Sequence, residues 1–437
     1  MQIRAIASKI GYLDSPIMTE NYTTFEPVPV TIENLSCDYG ISLVHLSNGV
    51  VYTWGTNYGG YLGNGNYTSQ DPAVQVIGDH EFVYAGVYQE STWGIDSDGQ
   101  LWVWGDTIYG RWGNGYEYNQ QYDPPTSRYW YHTPLPGGGM NPGDHIFTKV
   151  RMGGWHGLGL DTEGRLWGWG EQYTGGGDDC DRQGECGLGQ VYADDEPAIP
   201  IIKPYGPVLY PVQEYLGKTN WTYMWCGWNF SLAIDSDGKL YGTGSDGCAA
   251  LLQGYWAWHA GLKRMYWYSC NKDIFTQIGV DTDWVKVRAG DCHVIAQKSN
   301  GDLYGWGYNV NGCLGGLGAA EDSYIITPTK LPFTGSEVVD FYCGAYHTGV
   351  LKTDGTMWTT GDNGSGQLGV GDYTDRNAFT QVIGGHTFTQ ICDQAYDHAM
   401  AADADGNVYA WGWYLGPNEP DGWEDHTPNL IDFEFVT

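Results

Sequence analysis

The chain has 437 residues, with 20 Lys plus Arg against 52 Asp plus Glu, a formal net charge of −32. That length holds one large domain or two to three ordinary ones. So negative a surface repels phosphate backbones and anionic lipids alike, which excludes nucleic acid and membranes as main partners and suits a basic one.

Glycine (66), tyrosine (34) and tryptophan (21) are abundant, and long periodic Ala/Leu/Glu/Lys segments are scarce. Glycine turns between aromatic and β-branched runs point to an all-β protein. Residues 1–23 read as an N-terminal arm. Arg4 and Lys9 stand there without the apolar core of a secretion signal behind them, so none is expected. No apolar run reaches the roughly 18 residues of a membrane-spanning helix. Residues 24–30, rich in Pro and Val, read as an outer strand without its own hairpin.

A unit then repeats to the C-terminus. Turn glycines stand at Gly49, Gly99, Gly164, Gly238, Gly301, Gly355 and Gly406. Six residues after each comes a second glycine: Gly55, Gly105, Gly170, Gly244, Gly307, Gly361 and Gly412. Trp54, Trp104, Trp169, Trp306 and Trp411 precede five of these, and Thr243 and Thr360 the other two. An Asn, Asp or Glu precedes each turn glycine. Asn-Gly and Asp-Gly favour the tight turns that join antiparallel strands, because both central residues tolerate positive φ. Flanking segments alternate apolar and polar, as strands do.

Successive turn glycines lie 50, 65, 74, 63, 54 and 51 residues apart. A period near 50 with about four short strands is the spacing of a β-propeller blade. The expected fold is therefore a single seven-bladed propeller over residues 24–437, closed by its termini. Residues 432–436 read as the final strand. Three consecutive units are enlarged after the third strand, at 116–145, 173–221 and 245–284. These are long loop insertions in the second, third and fourth repeats, and they must be neighbours on the ring.

Residues 290–318 (GDCHVIAQKSNGDLYGWGYNVNGCLGGLG) and 344–371 (GAYHTGVLKTDGTMWTTGDNGSGQLGVG) carry the fullest pattern. They resemble the regulator of chromosome condensation repeat. That resemblance implies a seven-bladed propeller, a fold that serves unrelated functions.

Candidate chemistry is sparse. His156, His293, His347 and His398 stand eight residues before their turn glycines. They read as framework residues bonding within their own blades rather than as metal ligands. The Asp-x-Asp-Gly stretches sit at hairpin turns, which explains them. Asp179, Asp181 and Gln183 are spaced like the opening of a calcium loop, with Gln190 rather than Glu at its twelfth position. Apart from that calcium candidate no cofactor is expected. Cys180 and Cys186, and Cys248 with Cys270, flank insertion loops and are candidates for disulfides. Cys37, Cys226 and Cys343 share one repeat position and read as small packing residues.

No nucleophile turn or phosphate loop is present, so the role is expected to be non-enzymatic. The insertions carry the candidate partner-binding aromatics: Tyr129, Trp130, Tyr131, Tyr255, Trp256, Trp258, Tyr266, Trp267 and Tyr268. Aromatic loops on a rigid scaffold suit protein recognition. The favoured reading is a structural, receptor-binding or decoration protein of a virion, binding other virion proteins or a host-surface molecule. The alternatives are a cytoplasmic adaptor or GTPase exchange-factor-like regulator, and an extracellular inhibitor or sensor of the same fold.

Overall fold

The computed structural model describes residues 30–78, 80–106, 130–136, 146–170, 186–188, 208–259, 264–268, 271–317, 323–393, 395–414 and 423–431. It contains seven four-stranded antiparallel sheets, each filled in chain order. Blade one is Ile32–Asp38, Ile41–Leu46, Val51–Gly55 and Gln70–Gln75. Blade two is Phe82–Tyr88, Ser91–Asp96, Leu101–Asp106 and Trp130–Pro136. Blade three is Phe147–Met152, His156–Asp161, Leu166–Gly170 and Val208–Gln213. Blade four is Trp221–Cys226, Phe230–Asp235, Leu240–Gly244 and Lys272–Gln277.

Blade five is Trp284–Ala289, His293–Lys298, Leu303–Tyr308 and Tyr324–Lys330. Blade six is Val338–Cys343, His347–Lys352, Met357–Gly361 and Arg376–Gln381. Blade seven is Phe388–Ile391, His398–Asp403, Val408–Tyr414 and Trp423–Leu430. Among the described residues no helix is long and apolar enough to cross a membrane.

Both glycine series are required by backbone geometry. The seven turn glycines have φ between +73° and +85°, and the seven strand-end glycines between +97° and +111°. Side chains other than glycine's rarely tolerate these values. A Cβ on Gly55 would also lie 2.1 Å from the carbonyl oxygen of Gly40. Each Asp three residues before a turn glycine caps the turn. Asp96 Oδ1, for instance, accepts from the amides of Asp98 and Gln100 at 3.0 and 2.9 Å. Asp161, Asp235 and Asp403 repeat that geometry. Turn chemistry therefore accounts for these carboxylates.

The first strands of neighbouring blades touch one another, so they surround the axis. Fourth strands such as Tyr324–Lys330 and Arg376–Gln381 face outward and are largely solvated. Cys37, Cys226 and Cys343 on first strands are buried, as small packing residues. Buried tryptophans staple blades two, five and seven each to the blade before it. The indole N–H groups of Trp104, Trp306 and Trp411 donate to the carbonyls of Tyr61, Ala250 and Gln367 at 2.8–2.9 Å.

The sequence expectation of bonds within their own blades does not hold for three of the four framework histidines. These three reach forward to the next blade. His156 Nε2 lies 2.8 Å from Ser231 Oγ, His293 Nε2 2.9 Å from Thr348 Oγ1, and His398 Nε2 3.0 Å from Ser42 Oγ. The partner is the second residue of the next blade's second strand, 75 and 55 residues away in the first two pairs and 356 in the third. Sequence spacing alone conceals such a partner.

The third pair joins blade seven to blade one. Gln390 Nε2 also donates to the Ile32 carbonyl at 2.9 Å, and the Asp393 amide to the Leu35 carbonyl at 3.1 Å. One apolar cluster spans this seam, including Leu35, Trp54, Met400 and Trp411. Each described blade comes from one continuous stretch. The expected closing strands, 24–30 and 432–436, lie outside the described residues except for Val30, which is in no strand, and the 1–23 arm lies outside them too. Much of the three insertions lies outside them too. In blade four, a two-stranded hairpin, Tyr255–His259 with Arg264–Tyr268, stands between the third and fourth strands. Leu188 makes an isolated antiparallel bridge to Ile274, linking the blade-three insertion to blade four.

His347 breaks the rule. The residue that should meet it in blade seven is Ala399, which has no hydroxyl. Both ring nitrogens of His347 are buried without a hydrogen-bond partner, and burial pushes its pKa down to about 3. Ala399→Ser should supply the missing partner and raise unfolding free energy by about 1 kcal/mol, read by thermal or denaturant unfolding. An unchanged or lowered stability would refute the pairing rule.

Candidate functional site

Antiparallel order fixes which loops share a face. The turns between first and second strands, and the long connections between third and fourth strands, emerge on one side, the loop face. The second-to-third hairpins emerge on the other, the hairpin face. All three insertions therefore belong to the loop face.

At the axis on that face the short first-to-second turns differ from blade to blade. They bring aromatics together: Tyr39 and Tyr396 with ring centres 5.2 Å apart, and Trp155 and Trp228 at 6.0 Å. A cavity of about 350 Å³ lies beside them, lined by Trp228, Phe230, Asp291, Tyr346 and Tyr396. Three carboxyls accompany the rings. Burial pushes Asp291 up to about 7, opposed by a hydrogen bond from the Tyr346 hydroxyl and reinforced by Asp397. Burial and then Asp362 push Asp397 up to about 6. Asp38, fully buried, is raised well above the carboxylate range, first by burial, and Asp291 and Asp397 add to that shift. Among the described residues no Lys or Arg forms an ion pair with any of these three. Uncompensated carboxyls under aromatic rings are suited to a cation.

The same cavity is bordered by a disulfide between Cys248 and Cys292, with Cα atoms 5.1 Å apart. Cys248 was expected to face Cys270 within its own insertion; it bonds instead to the first-to-second turn of blade five. Adjacent blades bring the two Cα atoms within bridging range. Cys270 lies outside the described residues. Cys180 does too, whereas Cys186 is buried, its thiol 3.2 Å from the Trp169 carbonyl.

The candidate aromatics fall in several places. Trp130 and Tyr131 belong to the fourth strand of blade two rather than to a loop, opposite Asp106 and Gly105. Runs of aromatic residues fit a pleated strand as well as a loop. Tyr255 pairs with Tyr268 and Trp256 with Trp267 across the blade-four hairpin, while Trp258 opposes Met265 and Tyr266 opposes Ala257. Tyr129 and the calcium candidates Asp179, Asp181 and Gln183 lie outside the described residues. Asp38, Asp291, Tyr346, Tyr396 and Asp397 were not anticipated. Their signal was present: they occupy the turn just before the histidine slot, where the repeats disagree while the framework does not.

A seven-bladed β-propeller with its variable residues gathered at one end of the axis is a scaffold for binding. Part of the chain matches models of the regulator of chromosome condensation (RCC1) repeat: one model matches residues 300–351, and a second matches 147–175, 226–249, 284–313 and 338–367. The chain is 34% identical over 138 residues to the ultraviolet-B receptor UVR8 of Arabidopsis thaliana, covering 29% of this chain and 29% of that protein. It is 27% identical over 337 residues to the mitochondrial RCC1 domain-containing protein RUG3 of the same plant, covering 73% and 67%. The fold matches yeast RCC1 (Prp20), solved bound to Kap60, with TM-score 0.67 at 15% identity over 98% of this chain and 91% of that one.

The bridge closes a long loop, since its cysteines are 44 residues apart. By chain entropy it should contribute about 3–4 kcal/mol. Thermal unfolding should fall on addition of dithiothreitol in the wild type and be insensitive to it in Cys248→Ser. A wild-type curve unmoved by reductant would show that the bridge carries no stability.

Proposed function

We propose that this chain is a non-enzymatic, protein-binding propeller of the regulatory or adaptor kind, whose loop face receives a basic segment of its partner. The observation that carries this is the cluster of Asp38, Asp291 and Asp397 among Tyr39, Tyr346 and Tyr396, with no ion-pair partner among the described residues. A Lys or Arg side chain brings both the charge the carboxyls lack and a cation for the rings. The net charge of −32 supports it by drawing basic partners in from a distance. The insertions, including the Tyr255–His259 and Arg264–Tyr268 hairpin, extend the same face and can add contact area.

The repeat relatives support this reading over the virion one. They are cellular proteins, one of them mitochondrial, and nothing among them supports a virion decoration or host-surface role. The structural match adds one propeller of this shape bound to a protein partner.

Titration of the full chain with a lysine-rich peptide, against a glutamate-rich peptide of equal length, tests this. Binding of the basic peptide should strengthen from pH 5 to pH 8, as Asp397 (about 6) and Asp291 (about 7) lose their protons and gain charge. The double substitution Asp291→Asn, Asp397→Asn should weaken it about tenfold, roughly 1.4 kcal/mol, and flatten that pH dependence. Trp256→Ala with Trp258→Ala reports the hairpin's share. Binding indifferent to the asparagine variants would place the partner elsewhere.

A further inference from the structure

The hairpin-face end of the axis has the opposite chemistry. Four of the chain's 20 Lys and Arg residues, Lys149, Arg151, Lys286 and Arg288, stand on the first strands of blades three and five. A cavity of about 360 Å³ opens there, bordered by Arg151, Lys286, Arg288, Asp340, Gln390 and Asp393. For a protein of this charge, so many cations at one point of the axis need a reason.

Part of the reason is structural. Arg151 Nη2 lies 2.9 Å from Asp393 Oδ2, and Arg151 also donates to the Tyr84 hydroxyl, tying blade three to blades seven and two. Lys286 pairs with Asp340, and Arg288 donates to the Phe341 carbonyl with Nη2 3.4 Å from Asp340 Oδ2, tying blade five to blade six. Both guanidiniums flank the Trp225 ring, at 4.5 and 5.3 Å from its centre.

The pairing does not balance. Asp393 serves one cation and Asp340 serves two. Lys149 has no carboxylate partner among the described residues and lies 4.8 Å from the Tyr223 ring centre. Among the described residues that line the cavity, the two carboxylates Asp340 and Asp393 thus face three cations, Arg151, Lys286 and Arg288; the third acid, Glu33, is exposed at the rim, and Lys149 stands outside the lining, also exposed. Arg288, with 7% of its side chain exposed, keeps a buried Nε–H without an acceptor. Burying surplus like charge is costly unless an opposite charge joins it.

We propose that this mouth of the channel is an anion site, taking an oxyanion group (phosphate, sulfate or carboxylate) between Lys286 and Arg288 with Lys149 at the rim. It is separate from the loop face and independent of what binds there. The state of Lys286 agrees with it: burial, then Arg288, push its pKa down to about 8 despite Asp340. An anion in the cavity reverses that pressure. The charged groups around Lys286 are Arg288 on its own strand, Asp340 from blade six, Asp393 from blade seven, Arg151 from blade three and Glu33 at the rim.

The test is titration of the full chain with sodium sulfate at constant ionic strength, sodium chloride making up the balance, read by tryptophan fluorescence and thermal shift. Parallel titrations with inorganic phosphate and acetate distinguish tetrahedral from carboxylate preference. Sulfate keeps its charge between pH 7 and 9.5, whereas Lys286 gains its proton as pH falls through about 8. Sulfate should therefore bind more tightly at pH 7 than at 9.5. Lys286→Gln should weaken binding at least tenfold at pH 7 and abolish the pH dependence. Lys149→Gln, at an exposed position, should weaken it several-fold without disturbing the fold, and Lys330→Gln, outside this mouth, should leave it unchanged. Two results overturn the proposal: no oxyanion acting more strongly than chloride, or sulfate acting equally on wild type, Lys286→Gln and Lys149→Gln.

Discussion

Everything in this molecule depends on buried hydrogen bonds that run from one blade into the next. A four-stranded sheet cannot bury both of its faces alone, so each must be held against two neighbours at fixed spacing. Apolar contact between the sheets supplies most of the cohesion but little direction. Direction comes from polar groups that reach across the seams: Trp104 to the Tyr61 carbonyl, His156 to Ser231, His293 to Thr348 and His398 to Ser42. Inside the core such a bond is costly to leave half made, so a blade that slips is penalised at once. The last of these bonds spans the seam between first and last blades, where a break would open the ring.

The framework was almost wholly legible in the sequence. Positive φ demands glycine at the turn and again at the strand end, and both columns could be read without coordinates. So could the number of blades and the strand alternation. What could not be read was anything set by proximity between blades. The histidine partners lie tens to hundreds of residues away, so the residues seemed to serve their own hairpins. Cys292 sits in a framework turn, and nothing in its surroundings points to Cys248. Trp130 and Tyr131 looked like loop residues because strand and loop favour the same aromatics. The acidic turn residues of the loop face were hidden differently: each is a single departure from the repeat, and only the ring brings Asp38, Asp291 and Asp397 around one axis.

The chemistry is divided along that axis. Nearly every described ion pair lies toward the hairpin face, among them Arg165 with Asp161, Lys218 with Asp235, Lys298 with Asp283 and Lys330 with Asp302. On the loop face the pair of Arg376 and Asp372 is an exception. Framework positions on the hairpin side are repeated and self-satisfied. Positions on the loop side vary and leave carboxyls without an ion-pair partner among the described residues. A fold made of near-identical units thus closes its hairpin turns on themselves while its loop-face turns are left free to vary.

This separation also acts before any contact. With cations gathered at one mouth of the channel and unmatched carboxyls at the other, the described part of the molecule meets a charged partner differently at its two ends. In the field of a charged partner it feels a torque as well as an attraction, so approach selects orientation during diffusion. Such alignment raises the fraction of collisions that are productive, and it fades as added salt shortens the range of the field.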